Sequence, residues 1–301
     1  MAVFSNLVKQ THLIIKQHSK APNFLHSGFQ FRTLLLQSAS DSVKLHRLPD
    51  ADSGIIQIDM DRPEAKNALG KDMLGGLLNS FEAISTDSAA NVLMICSQVS
   101  RVFCAGADLK ERRGMNVSEV RAVVNSLRST FLFLEELQIP TIAVIEGAAV
   151  GGGLEMALAC DLRICGEDAK LALPETGLAV IPGAGGTQRL PRLVGKSIAK
   201  ELIFTGRKIS ARDALSLGLV NYCVPAGEAY SKALEVARDI NKKGPVAIRM
   251  AKRAINVGLE VNMTNALRVE QDCYEQTLHT NDRLEGLAAF AEKREPLYKG
   301  E

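Results

Sequence analysis

The segment from Thr141 to Cys165 reads TIAVIEGAAVGGGLEMALACDLRIC, and its pattern decides the fold class. The apolar run at 141–145 predicts a buried strand, three glycines at 151–153 predict a tight turn, and residues 154–160 predict a helix. A second apolar run, at 162–165, predicts another buried strand. Two buried strands joined through a helix are typical of a parallel sheet with helices on both faces, so the segment predicts an α/β protein.

The same alternation extends towards the N-terminus. Strands are predicted at Ile55–Met60 and Asn91–Cys96, and helices at Gly70–Ser85 and Ser118–Leu137. In the last third of the chain the strand pattern nearly disappears, which predicts a layer of helices suited to a subdomain or an oligomer contact. Its predicted elements are the strand Val220–Val224 and the helices Ala199–Phe204, Ala211–Leu217, Tyr230–Lys242, Val246–Gly258, Met263–Leu278 and Asp282–Lys293.

Charge is distributed unevenly along the chain. The 301 residues carry 36 Lys and Arg against 34 Asp and Glu, a formal net charge of +2. Residues 1–40 contain four basic side chains and no Asp or Glu, which leaves −2 for the remainder. An acid-free, basic, serine-containing leader is typical of a mitochondrial transit peptide, so we expect import into the matrix. Plastid import or an untargeted tail stays an alternative, since Arg32 is the only arginine there.

Several classes of protein lack their required residues. The weak net charge gives no reason to expect a nucleic acid or a membrane surface as partner, and no apolar run reaches the length of a membrane span. The six cysteines contain no CxxC pair, so buried free thiols are expected rather than disulfides or zinc ligands. Only His279 lies deep in the body, so Ser-His-Asp, Cys-His and histidine–metal chemistries lack some of the parts they need. Neither glycine cluster, 151–153 or 183–186, has the spacing of a dinucleotide-binding turn.

Two carboxylates remain as candidates for the chemistry. Glu155 lies in the first turn of the helix after the glycines, and Glu175 lies in the apolar stretch from Leu171 to Leu178. Taken singly, each has a structural explanation, because an acid stabilises a helix N-terminus and a buried acid is commonly salt-bridged. Two carboxylates beside glycine-rich turns with accessible N–H groups favour proton transfer next to a carbonyl.

Five motifs follow one another along the chain: Arg62-Pro63 with Asn67-Ala68, Phe103–Glu111, Ile145–Glu155, Cys160-Asp161, and Pro174-Glu175 with Ile181–Leu190. Together they resemble the crotonase (enoyl-CoA hydratase/isomerase) superfamily, and the resemblance extends from about residue 53 to the C-terminus. Within the superfamily the chain is most similar to mitochondrial hydratases related to methylglutaconyl-CoA hydratase.

The resemblance implies a particular architecture. Repeated ββα units would form a spiral α/β core at 41–240, and residues 241–301 would form an all-helical trimerisation region. It also implies a homo-oligomer, either a trimer or a hexamer made of two trimers. The implied partner is an acyl-CoA substrate, with no metal and no further cofactor, since CoA is part of the substrate.

The resemblance also assigns site residues by position. Ala107 and Gly152 match the two backbone N–H donors of an oxyanion hole. Glu155 and Glu175 match the two hydratase glutamates, and Gly183 matches a backbone donor that helps to hold the water. The segments that line CoA match Ala65, Lys66, Ala105, Asp108, Leu109 and Lys110, and a C-terminal stretch that reaches a neighbouring subunit's CoA matches Phe290 and Lys293.

The implied reaction is reversible syn addition of water to a trans-2-enoyl-CoA, giving a 3-hydroxyacyl-CoA in fatty-acid or branched-chain amino-acid catabolism. Residues around 110–135 would form the acyl pocket. The closest alternative is an enoyl-CoA isomerase on the same fold, which needs a single carboxylate base.

An alternative of another class is RNA binding with residual hydratase activity, because one relative in the superfamily is described as binding RNA. The sequence offers it little support. The charged residues at 110–113 and 252–253 are interpreted as solvated surface charges, and the helix predicted at 70–85 carries one Lys and no Arg. Nucleic acid is therefore not expected as a partner.

Overall fold

The computed structural model describes residues 40–301, so the predicted transit peptide, apart from Ser40, lies outside the described residues. Within this range the chain forms two sheets. The strands, numbered along the chain, are β1 (Val43–Arg47), β2 (Ile55–Met60), β3 (Val92–Ser97), β4 (Val102–Cys104), β5 (Thr141–Ile145), β6 (Ala148–Val150), β7 (Leu162–Gly166), β8 (Lys170–Ala172), β9 (Ile209–Ser210) and β10 (Tyr222–Val224).

The two sheets share a common construction. The larger has the order β1-β2-β3-β5-β7-β10, parallel except for the β1–β2 pair, and the smaller has the order β4-β6-β8-β9, parallel except for β8–β9. In each of the pairs β3/β4, β5/β6 and β7/β8, the first strand belongs to the larger sheet and the second to the smaller sheet. The chain therefore changes sheets within a few residues, and a helix follows each strand pair before the next. These are the ββα units that the resemblance implies.

The turn between β5 and β6 shows why the chain can change direction so sharply. Only Glu146 and Gly147 separate the two strands. A Cβ atom at Gly147 would lie 2.0 Å from the backbone carbon of Arg101, so this close approach requires glycine. The Glu146 carboxylate accepts hydrogen bonds from the N–H groups of Gly227 and Ala229, and so holds the start of a distant helix against the turn.

Residues 40–301 also contain eleven α-helices, of which the last four follow the final strand. They are α1 (Lys71–Ser85), α2 (Leu109–Arg112), α3 (Val117–Glu136), α4 (Gly152–Ala159), α5 (Gly186–Val194), α6 (Lys196–Thr205), α7 (Ala211–Ser216), α8 (Ala229–Asn241), α9 (Pro245–Gly258), α10 (Met263–Leu278) and α11 (Asn281–Glu292). Among these described helices, none is both long enough and apolar enough to cross a bilayer.

The larger sheet has a separate apolar cluster on each face. On one face the cluster joins the sheet to side chains of α1, α3, α4 and the smaller sheet, and Phe81, Phe103 and Phe131 are fully buried there. On the other face α8 packs through the small side chains of Ala229 and Ala237 against β2, β3, β5 and β7. Helix α8 therefore covers the core sheet. It is not part of the separate helical layer that the sequence pattern predicts for the whole last third of the chain.

Several elements escape the sequence patterns, among them β9 and α5. Strand β9 lies in the region where the strand pattern disappears. It is not predicted because a two-residue strand is too short to show alternation. Helix α5 is not predicted either, since Pro191 lies inside it and proline interrupts the helical hydrogen bonds.

The last three helices carry many exposed apolar side chains. Helices α9 and α10 pack against each other, yet Leu259, Met263 and Phe290 are largely exposed. Patches of this kind commonly mark an interface between proteins. The trimerisation role of this region and the division at residue 240 stay predictions.

Two expectations about single side chains have clear outcomes. All six cysteines lie in the described residues and are free, and all except Cys223 are buried, as predicted. The interpretation of Lys252 as a solvated charge is wrong. Its side chain is only 8% exposed, and Nζ lies 2.7 Å from Asp161 and donates to the carbonyl of Ile139, because α9 lies over this end of the sheet.

Candidate active site

A cavity of about 1150 Å³ lies between the loop after β4, the start of α4, the loop that contains Glu175, and one face of α3. It brings together residues from three of the five sequence motifs. The predicted donors Ala107, Gly152 and Gly183 line it, together with both predicted glutamates, Glu155 and Glu175. The structure thus places the predicted catalytic groups in one cavity.

Gly106 allows the two predicted N–H donors to approach each other. Its φ is +88°, and a Cβ atom there would lie 2.6 Å from Val150 O and 3.2 Å from Gly152 N. On one side of Ala107, Leu69 N donates to Gly106 O, and on the other Asp108 N donates to Leu69 O. These two hydrogen bonds do not use the N–H of Ala107. The N–H of Gly152 is the first of helix α4, so it has no acceptor within the helix. Both N–H groups are available to a ligand oxygen in the cavity.

Asp108 holds this loop in place from inside the protein. Its carboxylate is buried, lies 2.9 Å from Arg62 Nη1, and accepts the N–H groups of Lys110 and Glu111 at the start of α2. The pKa of Asp108 is lowered because these hydrogen bonds and the Arg62 charge outweigh its burial. Asp108 does not line the cavity, so its side chain positions the Ala107 loop.

Glu155 projects from the first turn of α4 and is 3% exposed. Its Oε1 accepts the N–H groups of Ala184 and Gly186, each at 2.8 Å. Burial raises the pKa of Glu155 above its usual value, although these two N–H groups and the charges of Arg189 and Arg112 oppose the shift. The two hydrogen bonds hold the carboxylate in one orientation.

Glu175 begins the short 3-10 helix Glu175–Leu178 and faces the same cavity. Its Oε2 is buried and has no hydrogen-bond partner among the described residues. Burial raises the pKa of Glu175 from the usual 4.5 to about 7, and the charge of Glu155 contributes to the increase. Near neutral pH, Glu175 is therefore able to give or take a proton.

One apolar wall of the cavity comes from the predicted acyl-pocket range. Val120, Val124, Leu127 and Leu132, all on α3, line it. On the same helix, Arg128 donates through Nε and Nη2 to Gly183 O, which ties the wall to the loop opposite. That these side chains determine chain-length preference stays a prediction.

The other predicted binding residues divide into three groups. Ala105 and Leu109 line the cavity. Ala65, Lys66 and Lys110 do not, but Lys66 O accepts the N–H of Ala105, so that segment borders the cavity edge. The remaining pair, Phe290 and Lys293, lies outside the cavity at the exposed C-terminal end of α11, and its role towards a neighbouring subunit stays a prediction.

Three functional candidates were missed by sequence reasoning. Ala184 and Gly186 act through backbone N–H groups, which leave no side-chain signal, although the glycine-rich run at 183–186 was a clue. Arg112 was interpreted as one of four solvated charges, yet it lines the cavity and its Nε is buried. In residues 40–301 no three His, Cys, Asp or Glu side chains are grouped as a metal site would need.

Solved structures show the same fold. An enoyl-CoA hydratase from Bacillus anthracis superposes with a TM-score of 0.84 at 46% identity, covering 87% of this chain and all of that one. An enoyl-CoA hydratase from Geobacillus kaustophilus gives a TM-score of 0.82 at 34% identity, covering 86% of this chain and 97% of the other. The architecture is the crotonase fold.

The sequence comparisons agree with this architecture. The profile of the enoyl-CoA hydratase/isomerase family matches residues 50–301, and the chain belongs to that family. It is 65% identical over 270 residues to the probable enoyl-CoA hydratase 2, mitochondrial, of Arabidopsis thaliana, covering 89% of this chain and 90% of that protein. It is 48% identical over 265 residues to the mitochondrial methylglutaconyl-CoA hydratase of Mus musculus, covering 87% and 84%.

Proposed function

We propose that this protein is a hydro-lyase that adds water reversibly to a trans-2-enoyl-CoA. The observation that carries the proposal is the pair of carboxylates, both with raised pKa values, in the cavity that also contains two available N–H donors. The names of the most similar relatives point to the same reaction.

In the proposed mechanism the thioester oxygen accepts hydrogen bonds from the N–H groups of Ala107 and Gly152. These donors stabilise the negative charge that develops on the oxygen, an effect worth about 3–4 kcal/mol per donor in other enzymes. Ionised Glu155 takes a proton from water as the water oxygen bonds to C3. Protonated Glu175 gives its proton to C2, so that OH and H add to one face of the double bond. A proton then returns from Glu155 to Glu175 through solvent. No metal or redox group takes part.

The competing reaction on this fold is isomerisation of a double bond, and one assay separates the two. We expect the purified protein to convert a trans-2-enoyl-CoA into the 3-hydroxyacyl-CoA faster than it isomerises a cis-3-enoyl-CoA of equal length. The absorbance of the conjugated thioester falls during hydration and rises during isomerisation. Faster isomerisation would make the chain an isomerase and leave the second carboxylate without a role.

We also propose that the protein acts in the mitochondrial matrix. The basic, acid-free leader supports import, and the two relatives above carry the word mitochondrial in their names. A fluorescent protein fused after residue 45 is expected to accumulate in mitochondria, and a diffuse cytosolic signal would contradict the proposal.

A further inference from the structure

The loop that binds the Glu155 carboxylate is itself held by an arginine. Arg189 lies near the start of α5, and its side chain is 12% exposed. Its Nη1 donates to Ala184 O at 3.0 Å. A Cβ atom at Gly185 would lie 2.0 Å from Nη1, so the guanidinium lies directly against bare backbone. Ala184 thus accepts from Arg189 through its carbonyl and donates to Glu155 through its N–H.

Glu135, near the end of α3, holds the other side of the guanidinium. Both Nε and Nη2 of Arg189 donate to Glu135 Oε2, at 3.1 and 2.7 Å. All three nitrogens of the planar guanidinium are therefore engaged, which fixes its orientation. A continuous series of hydrogen bonds runs from α3 through Arg189 and the loop to Glu155.

Arg189 differs from the other charged side chains in the cavity. Those that line it are Arg112, Arg128, Glu135, Glu155, Glu175, Arg189, Arg192 and Glu260. Arg128 donates to Gly183 O, and Arg192 and Glu260 form an exposed pair 3.4 Å apart that solvent screens. Burial raises the pKa of Glu155 and of Glu175. The charges of Arg189 and Arg112 oppose the first increase, and that of Arg112 opposes the second. Arg189 therefore both holds the loop through Ala184 and favours the ionised form of Glu155.

We propose that Arg189 is a positioning residue for the reaction, which holds the loop at 184–186 against Glu155 and keeps a positive charge beside that loop. This inference rests on the proposed hydratase function, in which ionised Glu155 takes a proton from water. A fixed positive charge stabilises the carboxylate, and a fixed loop holds it in one orientation. Neither effect requires Arg189 to touch the substrate.

The test is the pH dependence of kcat/KM for hydration of a trans-2-enoyl-CoA by Arg189→Gln. We expect the acidic decline to move to higher pH, because Glu155 loses a stabilising charge. The loss relative to the native protein should be up to about 10-fold larger at acidic pH than at pH 7. The alkaline decline, which reports Glu175, should not move. An acidic decline that stays at its native pH would overturn the proposal, since a purely structural role predicts that result.

Two variants separate the charge of Arg189 from damage to the fold. Glu135→Gln leaves an oxygen that can accept from Arg189 but removes the opposing charge, so its acidic decline should move to lower pH. Arg189→Lys keeps the charge and loses the planar fork, so its acidic decline should stay at the native pH while kcat falls. An acidic decline moved to higher pH in either variant would overturn the proposal, whether or not Arg189→Gln folds.

Arg212→Gln and Glu167→Gln are the matched controls. These residues form an ion pair of the same 2.7 Å length outside the cavity, with side chains 76% and 41% exposed. Neither variant should change kcat or the pH profile. A shift of the acidic decline in Arg212→Gln as large as in Arg189→Gln would make net charge the cause, and would overturn the proposal.

Infrared titration without substrate separates this inference from the proposed reaction. The carboxyl C=O band of Glu155 is isolated by subtracting the spectrum of the same protein with Glu155→Gln. In Arg189→Gln the band should persist to higher pH than in the native protein. If the band shifts but the native protein hydrates no enoyl-CoA, the hydratase proposal fails and the role of Arg189 stands. If hydration is normal and the band does not shift, the role of Arg189 fails alone.

Discussion

Glu175→Gln is expected to reduce the rate of hydration by at least about 100-fold, and about 10,000-fold at the upper end of general acid catalysis. The amide has nearly the shape of the acid but carries no proton that it can give to C2. Steady-state kinetics with a trans-2-enoyl-CoA measure the loss. The dissociation constant of a saturated acyl-CoA should stay nearly unchanged, because the Ala107 and Gly152 donors remain.

The fold of this variant can be checked by its melting temperature. Glu175 has a pKa of about 7 in the folded protein against the usual 4.5, so the folded state binds this proton more tightly than the unfolded state. The stability contributed by that proton is therefore lost as pH rises from about 4.5 to about 7. At pH 8 the glutamine variant should melt no lower than the native protein. Near-normal turnover by a folded variant would refute the role of Glu175.

The pH dependence of hydration by the native protein should report the ionisation of Glu175 as well. Hydration needs protonated Glu175, so kcat/KM for hydration should fall as pH rises above about 7. It also needs ionised Glu155, so the same quantity should fall at acidic pH, as pH drops through the raised pKa of that residue. The residual activity of Glu175→Gln should lack the alkaline decline. If that decline persists, another group is responsible.

Glu155→Gln is expected to cause a loss of similar size, about 100- to 10,000-fold, for the opposite reason. An amide cannot take the proton from water. Its oxygen can still accept the N–H groups of Ala184 and Gly186, so the loop opposite α4 should keep its position. Single-turnover hydration with a trans-2-enoyl-CoA measures the chemical step directly.

Two further variants make this result specific. Glu155→Ala leaves both N–H groups without an acceptor and creates a void, so it should lower the melting temperature as well as the rate. Glu136→Gln removes a carboxylate from the exposed end of α3 and should change neither. If Glu155→Gln retains more than about a tenth of native activity, water is activated elsewhere and general base catalysis by Glu155 is wrong.

The longer elements were predictable because each carries its own pattern. Strand Thr141–Ile145 and helix Met263–Leu278 have the predicted bounds, since apolar runs and helical spacing are local properties. The smaller sheet was not predicted from periodicity. Its strands have two or three residues, and β4 meets its partner β6 more than forty positions away. Only the resemblance to a family indicated that such strand pairs were present.

The site was predictable where glycines and acids mark it in the sequence. It was less predictable where a backbone N–H group acts, or where only the folded structure shows which side chain faces the cavity. Glu155 and Glu175 have apolar neighbours in sequence, which makes an acid conspicuous. Arg112 stands among other charged residues, and nothing local distinguishes the side chain that turns inward. The N–H groups of Ala184 and Gly186 are invisible in a sequence until the loop that presents them is seen against Glu155.

The strand order of the two sheets has a consequence for how the chain assembles. In the larger sheet β3, β5, β7 and β10 each pair with the free edge of the strand that precedes them in that sheet. In the smaller sheet β6, β8 and β9 do the same. None of the ten strands in residues 40–301 has to be inserted between two that are already paired. The chain is thus able to fold progressively from its N-terminal end, as it emerges from a ribosome or a translocation pore, with each new unit docking on a finished template.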